Sequence, residues 1–318
     1  MTPQVNGDER QRAEQTLSFA EQRGMPLPTS SWLDARTRTP SQFLEGASPS
    51  FKPSIIGVLL IHGLNGNPGD LAELAAFLQE RGMVAITMCL PGHGAHGCEM
   101  QPVDWQEWAT AVRTEVHRLK ERYDLVFVLG HSLGGALALY VAAQEEVTGV
   151  VAICPPLQPW LQPVVGLLKY VLPVLPTLHA DVCDPEALWR EAGEFYRWAP
   201  TRTVESSLQF LPHVQAALPQ VTAPVLILTA LHDHVVPTYD AYMIYHLLGS
   251  HTRHLVIFPR SAHVLMKDYD REAVFAKTAD FIARQARKAI AQRRGPPAAQ
   301  FEQAWPWVDR RPQIVAAR

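Results

Sequence analysis

The stretch Leu125-Val126-Phe127-Val128-Leu129-Gly130-His131-Ser132-Leu133-Gly134-Gly135-Ala136-Leu137-Ala138-Leu139-Tyr140-Val141-Ala142-Ala143 decides the reading of this chain. Its first five residues are apolar strand formers, and from Ala136 onward good helix formers dominate. The pentad Gly130-His131-Ser132-Leu133-Gly134 therefore lies where a buried strand turns abruptly into a helix. A Gly-x-Ser-x-Gly pentad alone is weak evidence, because average Gly and Ser usage produces one in roughly a tenth of chains of this length. The strand before it and the helix after it make the signal specific. Such a turn forces Ser132 into sparsely populated backbone angles, and the glycines leave room for the close strand–helix approach. The Ser132 hydroxyl is expected to project from the sheet edge, with the first amides of the helix facing the same point.

The whole chain bounds what such a serine can serve. Its 318 residues suffice for one large domain, or a core with an insertion, around a sizeable buried interior. An apolar fraction of 47% is ordinary for a globular protein. A net charge of -3 gives no reason to expect nucleic acid or another polyanion as partner. Cys89, Cys98, Cys154 and Cys183 form no CxxC pair and no His/Cys zinc spacing. They read as free thiols of an intracellular, cytoplasmic protein, and no metal is expected. Met1 to Gln15 carries no apolar signal core, and no stretch is apolar for long enough to span a bilayer. The oligomeric state is not legible at this level.

Outward from the pentad, strands and helices alternate. Residues 1–42 are a polar extension, with an edge strand and turn expected at 43–50. Ser54 to Ile61 is a continuous apolar run, the signature of a strand buried on both faces. After His62-Gly63-Leu64-Asn65-Gly66-Asn67-Pro68 a helix is predicted from Gly69 to Arg81. Met83 to Met88 is the next strand, opening into Leu90-Pro91-Gly92-His93-Gly94. Trp105 to Arg122 is predicted helical, with Trp108, Val112, Glu115 and Leu119 in register. Val147 to Ile153 forms a further strand. At Pro155-Pro156 the alternation breaks, and 155–218, rich in Pro, Leu and Trp, reads as an inserted cap with a helix at 184–198. Strands resume at Pro224–Ala230 and His254–Phe258, with helices at Tyr239–Leu248 and Arg271–Ala291. The core is therefore 43–154 with 219–291, and 292–318 is a tail. This is an α/β pattern that implies a mostly parallel, doubly wound sheet.

A serine hydroxyl is a poor nucleophile unless an imidazole removes its proton and a carboxylate fixes the imidazole tautomer. The strand ending at Ala230 leads into Leu231-His232-Asp233-His234, and the strand ending at Phe258 leads into Pro259-Arg260-Ser261-Ala262-His263. Acid and base candidates thus arrive on successive loops at the carboxyl ends of parallel strands. His263 is preferred as base over His254, which starts its strand, and over His232 and His234. Asp233 is the preferred acid, with Asp240 and Asp184 as alternatives. His131 is given no chemical role. Backbone amides that receive a developing oxyanion are expected at Leu133 and, in the loop after the first long strand, at Leu64 beside Gly63. His62, Gly63 and His93 are candidate pocket walls, although Gly92-His93-Gly94 reads equally well as a plain tight loop. In the cap, Leu157, Trp160, Leu161, Val164, Leu167 and Leu168 either face an acyl chain or merely pack the cap onto the core.

His62-Gly63, Pro91-Gly92-His93-Gly94, the serine pentad, Asp233-His234-Val235-Val236-Pro237 and Ser261-Ala262-His263-Val264 stand in an order that resembles the α/β-hydrolases. The similarity is greatest to the bacterial carboxylesterase and monoacylglycerol lipase branch, over about Phe43 to Ala291. It implies an α/β-hydrolase fold with a small cap, hydrolysis of a small-molecule ester, and no metal or organic cofactor. It places Ser132, Asp233 and His263 in the triad, and Leu64 and Leu133 as oxyanion amides. The extension, the tail and the cap depart from the short members of the family, which leaves the substrate open. Thioesterase, amidase or acyltransferase chemistry uses the same groups. A peptidase selecting a free amino terminus needs a cap acid, for which Glu186, Glu191 and Glu194 are available. A non-catalytic binder is disfavoured because all three triad residue types are present.

Overall fold

The computed structural model describes residues 56–93, 102–159, 161–168, 170, 172, 174–176, 182–184 and 198–294. The expected extension at 1–42, edge strand at 43–50, most of the cap helix at 184–198, Trp160, Gly94 and nearly all of the tail lie outside these residues.

The apolar runs become strands β1 (Ile56–Ile61), β2 (Val84–Met88), β3 (Leu125–His131), β4 (Gly149–Ile153), β7 (Val225–Ala230) and β8 (Arg253–Phe258). All pair in parallel, in the order β2-β1-β3-β4-β7-β8. Alternate residues of β1 serve opposite cores. Ile56, Val58 and Leu60 join one cluster, and Leu59 and Ile61 the other. All five are fully buried. That is why the run reads as uninterrupted: both faces of the sheet are covered.

Helices α1 (Ala72–Gln79) and α7 (Arg271–Arg294) cover the first face. The second face carries α2 (Trp105–Lys120), α3 (Leu133–Ala142) and α6 (Thr238–Leu247). The predicted helix from Gly69 is preceded by a 3-10 turn, Pro68–Leu71, whose Asn67 cap accepts from the Gly69 amide. On α2 the buried positions are Trp108, Val112, Val116 and Leu119, so Val116 rather than Glu115 occupies the inward register. Glu115 instead bonds Arg118 one turn on, at 2.9 Å.

Between β4 and β7 the inserted stretch holds α4 (Gln162–Leu168) and an antiparallel pair, β5 (Val174–Pro176) and β6 (Trp198–Pro200). Next comes α5 (Thr201–Ala217), whose Phe210, Leu211 and Val214 are buried in the same cluster as α2 and α3. Trp105 stacks on Phe210 at 5.2 Å, and the Trp105 amide donates to Ser206 Oγ. The last quarter of the inserted stretch therefore packs as a helix of the sheet's outer layer. The strand order reverses direction between β1 and β3, and the loops after both strands meet at that crevice, where open α/β sheets hold ligands.

If α5 is part of the core, Phe210→Ala should cost about 3–5 kcal/mol of unfolding free energy in urea, the range for truncating a buried aromatic. A loss below about 1 kcal/mol would place α5 outside the cooperative unit.

Candidate active site

The serine turn is made by backbone contact. A Cβ on Gly134 would stand 2.2 Å from the Ile61 carbonyl oxygen, and one on Gly130 would stand 2.0 Å from the Gly134 carbonyl oxygen. Only glycine allows α3 to start so close to β1 and β3. Between them Ser132 takes φ 52° and ψ -121°, and its amide donates to the Ile153 carbonyl at 2.8 Å. For an L-residue with a side chain such angles are costly, and they persist because the surrounding bonds hold them. Gly63 lies against this turn: a Cβ there would meet the Ser132 Cβ at 3.3 Å. Ser132 and the loop after β1 are thus adjacent, as the topology of the crevice requires.

Asp233 and His263 meet. His263 Nδ1 lies 2.8 Å from Asp233 Oδ2, and both side chains are at least nine-tenths buried. Asp233 Oδ1 accepts from the Val235 and Val236 amides at 2.9 and 2.7 Å. Burial pushes the Asp233 carboxyl up, but the His263 hydrogen bond and charge, with the two amides, outweigh it, so the carboxyl sits below its ordinary value. The carboxylate therefore accepts, and Nδ1 carries the proton. The two competing acids lie elsewhere. Asp240 Oδ2 accepts from the Leu157 and Gln158 amides, and burial raises its carboxyl. Asp184 lies beyond β5, where its amide donates to Asp268. His254 lies on β8 with its ring 6.3 Å from that of Phe281, and His232 and His234 are exposed on the Asp233 loop.

Histidines other than His263 hold the frame. His131 Nε2 donates to the His263 carbonyl at 3.0 Å, with ring centroids 4.8 Å apart, so the residue before the serine grips the loop of the candidate base. His62 Nε2 accepts from the Leu90 amide at 3.1 Å, which leaves the proton on Nδ1 for the Gly63 carbonyl at 2.8 Å. That carbonyl also accepts from the Gly66 amide at 3.1 Å. The Gly63 carbonyl and the Leu64 N–H belong to one planar trans peptide and point opposite ways. Two donors on the carbonyl therefore fix the direction of the Leu64 N–H. His93 Nε2 donates to the Leu64 carbonyl, and Trp108 Nε1 donates to the Pro91 carbonyl at 3.0 Å.

These roles for His131 and His62 were not visible in the sequence, because their partners are backbone atoms as far as 132 positions away. The pocket candidates divide. Gly63 stands against Ser132, whereas His62 and His93 are buried with their rings bonded to the backbone of the neighbouring loops. Leu157 is fully buried in the core with α3 and α5, Leu168 is half-buried on α4, and Leu167 is 72% exposed. Spacing also could not reveal that Cys154, Asp233 and His263 offer ligand atoms within 4.8 Å of one another. An ion held there would have to replace the hydrogen bond between Asp233 and His263.

The fold is that of an α/β-hydrolase. The family model described as "Serine aminopeptidase, S33" (Hydrolase_4) matches residues 54–270, and the chain belongs to that family. It is 30% identical over 253 residues to the thermostable monoacylglycerol lipase of Bacillus sp. (strain H-257), covering 76% of this chain and 97% of that one. It is 27% identical over 236 residues to a carboxylesterase of Bacillus subtilis (strain 168), covering 73% and 94% respectively. A solved structure reported for LipS and LipT, two metagenome-derived lipolytic enzymes, superposes with a TM-score of 0.67 at 29% identity, covering 73% of this chain and 95% of that one.

The histidine frame predicts a pH dependence of stability. Burial, with neighbouring imidazoles adding to it, lowers His62 and His131 to about 3 from 6.5. Both bind protons in the unfolded chain at pH values where the folded chain binds none. Their contribution is full above 6.5 and is lost as pH falls toward 3. Two such groups give a slope of about 3 kcal/mol per pH unit in that window. Urea unfolding at about pH 7 and about pH 5 should show this loss, and His131→Gln should flatten the slope by about half. Equal stability at both pH values would mean that these rings titrate normally.

Proposed function

We propose that the chain hydrolyses carboxylic esters through an acyl-serine intermediate, with Ser132 as nucleophile, His263 as base and Asp233 as the acid that orients it. The observation that carries this reading is the 2.8 Å bond between His263 Nδ1 and Asp233, beside a serine turn held at φ 52°. Ser132 Oγ attacks the ester carbonyl carbon as His263 Nε2 accepts its proton, and the carbonyl oxygen becomes an oxyanion. The amides of Leu133, at the start of α3, and of Leu64 receive that charge, and the frame around the Gly63 carbonyl sets the second donor before substrate arrives. Collapse of the intermediate breaks the bond to the alcohol oxygen, which leaves with the proton from His263. Water then attacks the acyl-serine by the same route and releases the acid.

The relatives named monoacylglycerol lipase and carboxylesterase support a short-to-medium acyl ester or a monoacylglycerol-like substrate. The inserted stretch, 155–218, is the part we assign to acyl-chain choice. At and just before α4, Leu161, Val164 and Leu167 are 60%, 55% and 72% exposed, more apolar surface than a plain connection needs. The family description also names an aminopeptidase. That reading needs a carboxylate that binds a free amino terminus, and Glu186, Glu191 and Glu194 lie outside the described residues. Thioester hydrolysis, amide hydrolysis and acyl transfer would draw on the same three side chains and the same two amides. Among the described residues, no helix is long and apolar enough to cross a membrane.

The deciding experiment pairs p-nitrophenyl butyrate hydrolysis with labelling by an alkyl fluorophosphonate. Wild-type protein should take one label, at Ser132. Ser132→Ala should lose both label and hydrolysis, a drop of about 10⁴-fold or more, while melting as the wild type does. Label at another serine would overturn the assignment. Faster release of p-nitroanilide from aminoacyl substrates than of p-nitrophenol from esters would favour the peptidase.

Acyl-chain choice is tested separately. Leu167→Trp and Leu168→Trp should change the ratio of kcat/KM for laurate and acetate esters by about tenfold, since one methylene contact is worth about 1–3 kcal/mol. Equal losses on both esters would make α4 a stability element.

A further inference from the structure

Two carboxylates hold the turn that delivers His263, and one of them reaches further. Asp270 Oδ2 accepts from the Ser261 hydroxyl at 2.9 Å and from the Arg260 amide at 3.1 Å. Its own amide donates back to Ser261 Oγ at 2.9 Å, so it acts within the turn. Asp268, 2% exposed, accepts four backbone N–H groups. Oδ2 takes those of Ala262 at 2.8 Å and Cys183 at 2.7 Å. Oδ1 takes those of Tyr269 at 2.8 Å and Asp184 at 2.9 Å. A carboxylate has about four acceptor positions, and N–H bonds to an ionised acceptor are the stronger kind. Asp268 is therefore saturated, by its own neighbour Tyr269 and by donors from two separate segments. One is the turn immediately before His263. The other lies in the inserted stretch, some 80 positions earlier, and nothing else in the sequence around it signals a link to the base.

We infer that Asp268 is a positioning residue that makes Cys183–Asp184 and the Ala262–His263 turn one mechanical unit, so that the inserted stretch helps to set where the imidazole stands. One oxygen, Oδ2, is shared between the two segments, so displacing either segment loosens the bond to the other. The side-chain hydrogen bonds of Asp268 go to backbone amides, none to Asp233 or Ser132. Its effect falls on kcat, through the place of His263 in the transition state, and not on ground-state binding of a short ester. This inference rests on the reading of Ser132 and His263 given above.

The test is hydrogen exchange at single-amide resolution on the wild-type protein, joined to kinetics on two variants. In the wild type the amides of Cys183, Asp184 and Ala262 should be protected and should open together. Asp268→Asn keeps the shape but replaces one oxygen with an NH₂ that only donates. With Nδ2 in the place of Oδ2 it should release the Ala262 and Cys183 amides and lower kcat on p-nitrophenyl butyrate by about tenfold or more, with KM within about twofold. Asp270→Asn should loosen Ser261 yet leave Cys183 and Asp184 protected, a difference that a general loss of stability would not produce. Wild-type exchange that is slow at Ala262 but unprotected at Cys183 and Asp184 would overturn the link, and so would folded Asp268→Asn with wild-type kcat. If Asp268→Asn fails to fold, the wild-type exchange decides alone. Wild-type protein that neither hydrolyses the ester nor takes the fluorophosphonate would instead fail the catalytic reading, and the exchange result would still stand or fall on its own.

Discussion

Everything at the candidate site depends on how closely the start of α3 approaches the ends of β1 and β3. The carbonyls of Ile61, His62 and Gly134 occupy space that a side chain at Gly134 or Gly130 would need. With no atom to spare there, the chain can pass from strand to helix in a single residue, and that residue is Ser132 at φ 52°. The strain at one position is supported by a parallel sheet whose central strands are buried on both faces. A looser sheet would let the turn relax and withdraw the hydroxyl from the crevice.

Around that turn the chain uses neutral histidines as structural donors and acceptors. His62 aims the Leu64 peptide, His93 bonds the next carbonyl along, and His131 holds the carbonyl of His263. An imidazole can accept at one nitrogen and donate at the other, so one ring can tie two backbone segments without carrying charge. Burial keeps His62 and His131 uncharged down to about 3. Charged donors in the same places would set extra positive charge beside His263 and oppose its protonation during turnover. Carboxylates take the complementary task, since Asp268 and Asp270 gather the N–H groups of the turn that delivers His263.

The inserted stretch plays two parts. Its far end, α5, is built into the outer helix layer through Phe210, Leu211 and Val214. Its near end presents apolar residues of α4 to the outside. Between them, Cys183 and Asp184 reach Asp268. The stretch that the sequence reads as an inserted cap is therefore tied into the core at α5 and to the base-bearing turn at Asp268.

The sequence by itself determined the parallel sheet, the serine turn, and the loops carrying Asp233 and His263. Each rests on local pattern: uninterrupted apolar runs, glycines flanking the serine two residues to either side, and acid or base just beyond a strand. Such signals survive without knowledge of neighbours, because strand burial and turn geometry are written within a few residues of each other. Boundaries and registers were less secure. Val116 rather than Glu115 faces the core of α2, because four-residue spacing from Val112 fits the buried stripe better than three. Tertiary structure alone decided the tasks of His62, His93, His131 and Asp268. Their partners are backbone carbonyls and amides, which every residue has, so no residue type elsewhere in the chain betrays them. Only the folded path, which brings Ala262 and Cys183 to the same oxygen of Asp268, specifies which of those identical groups is meant.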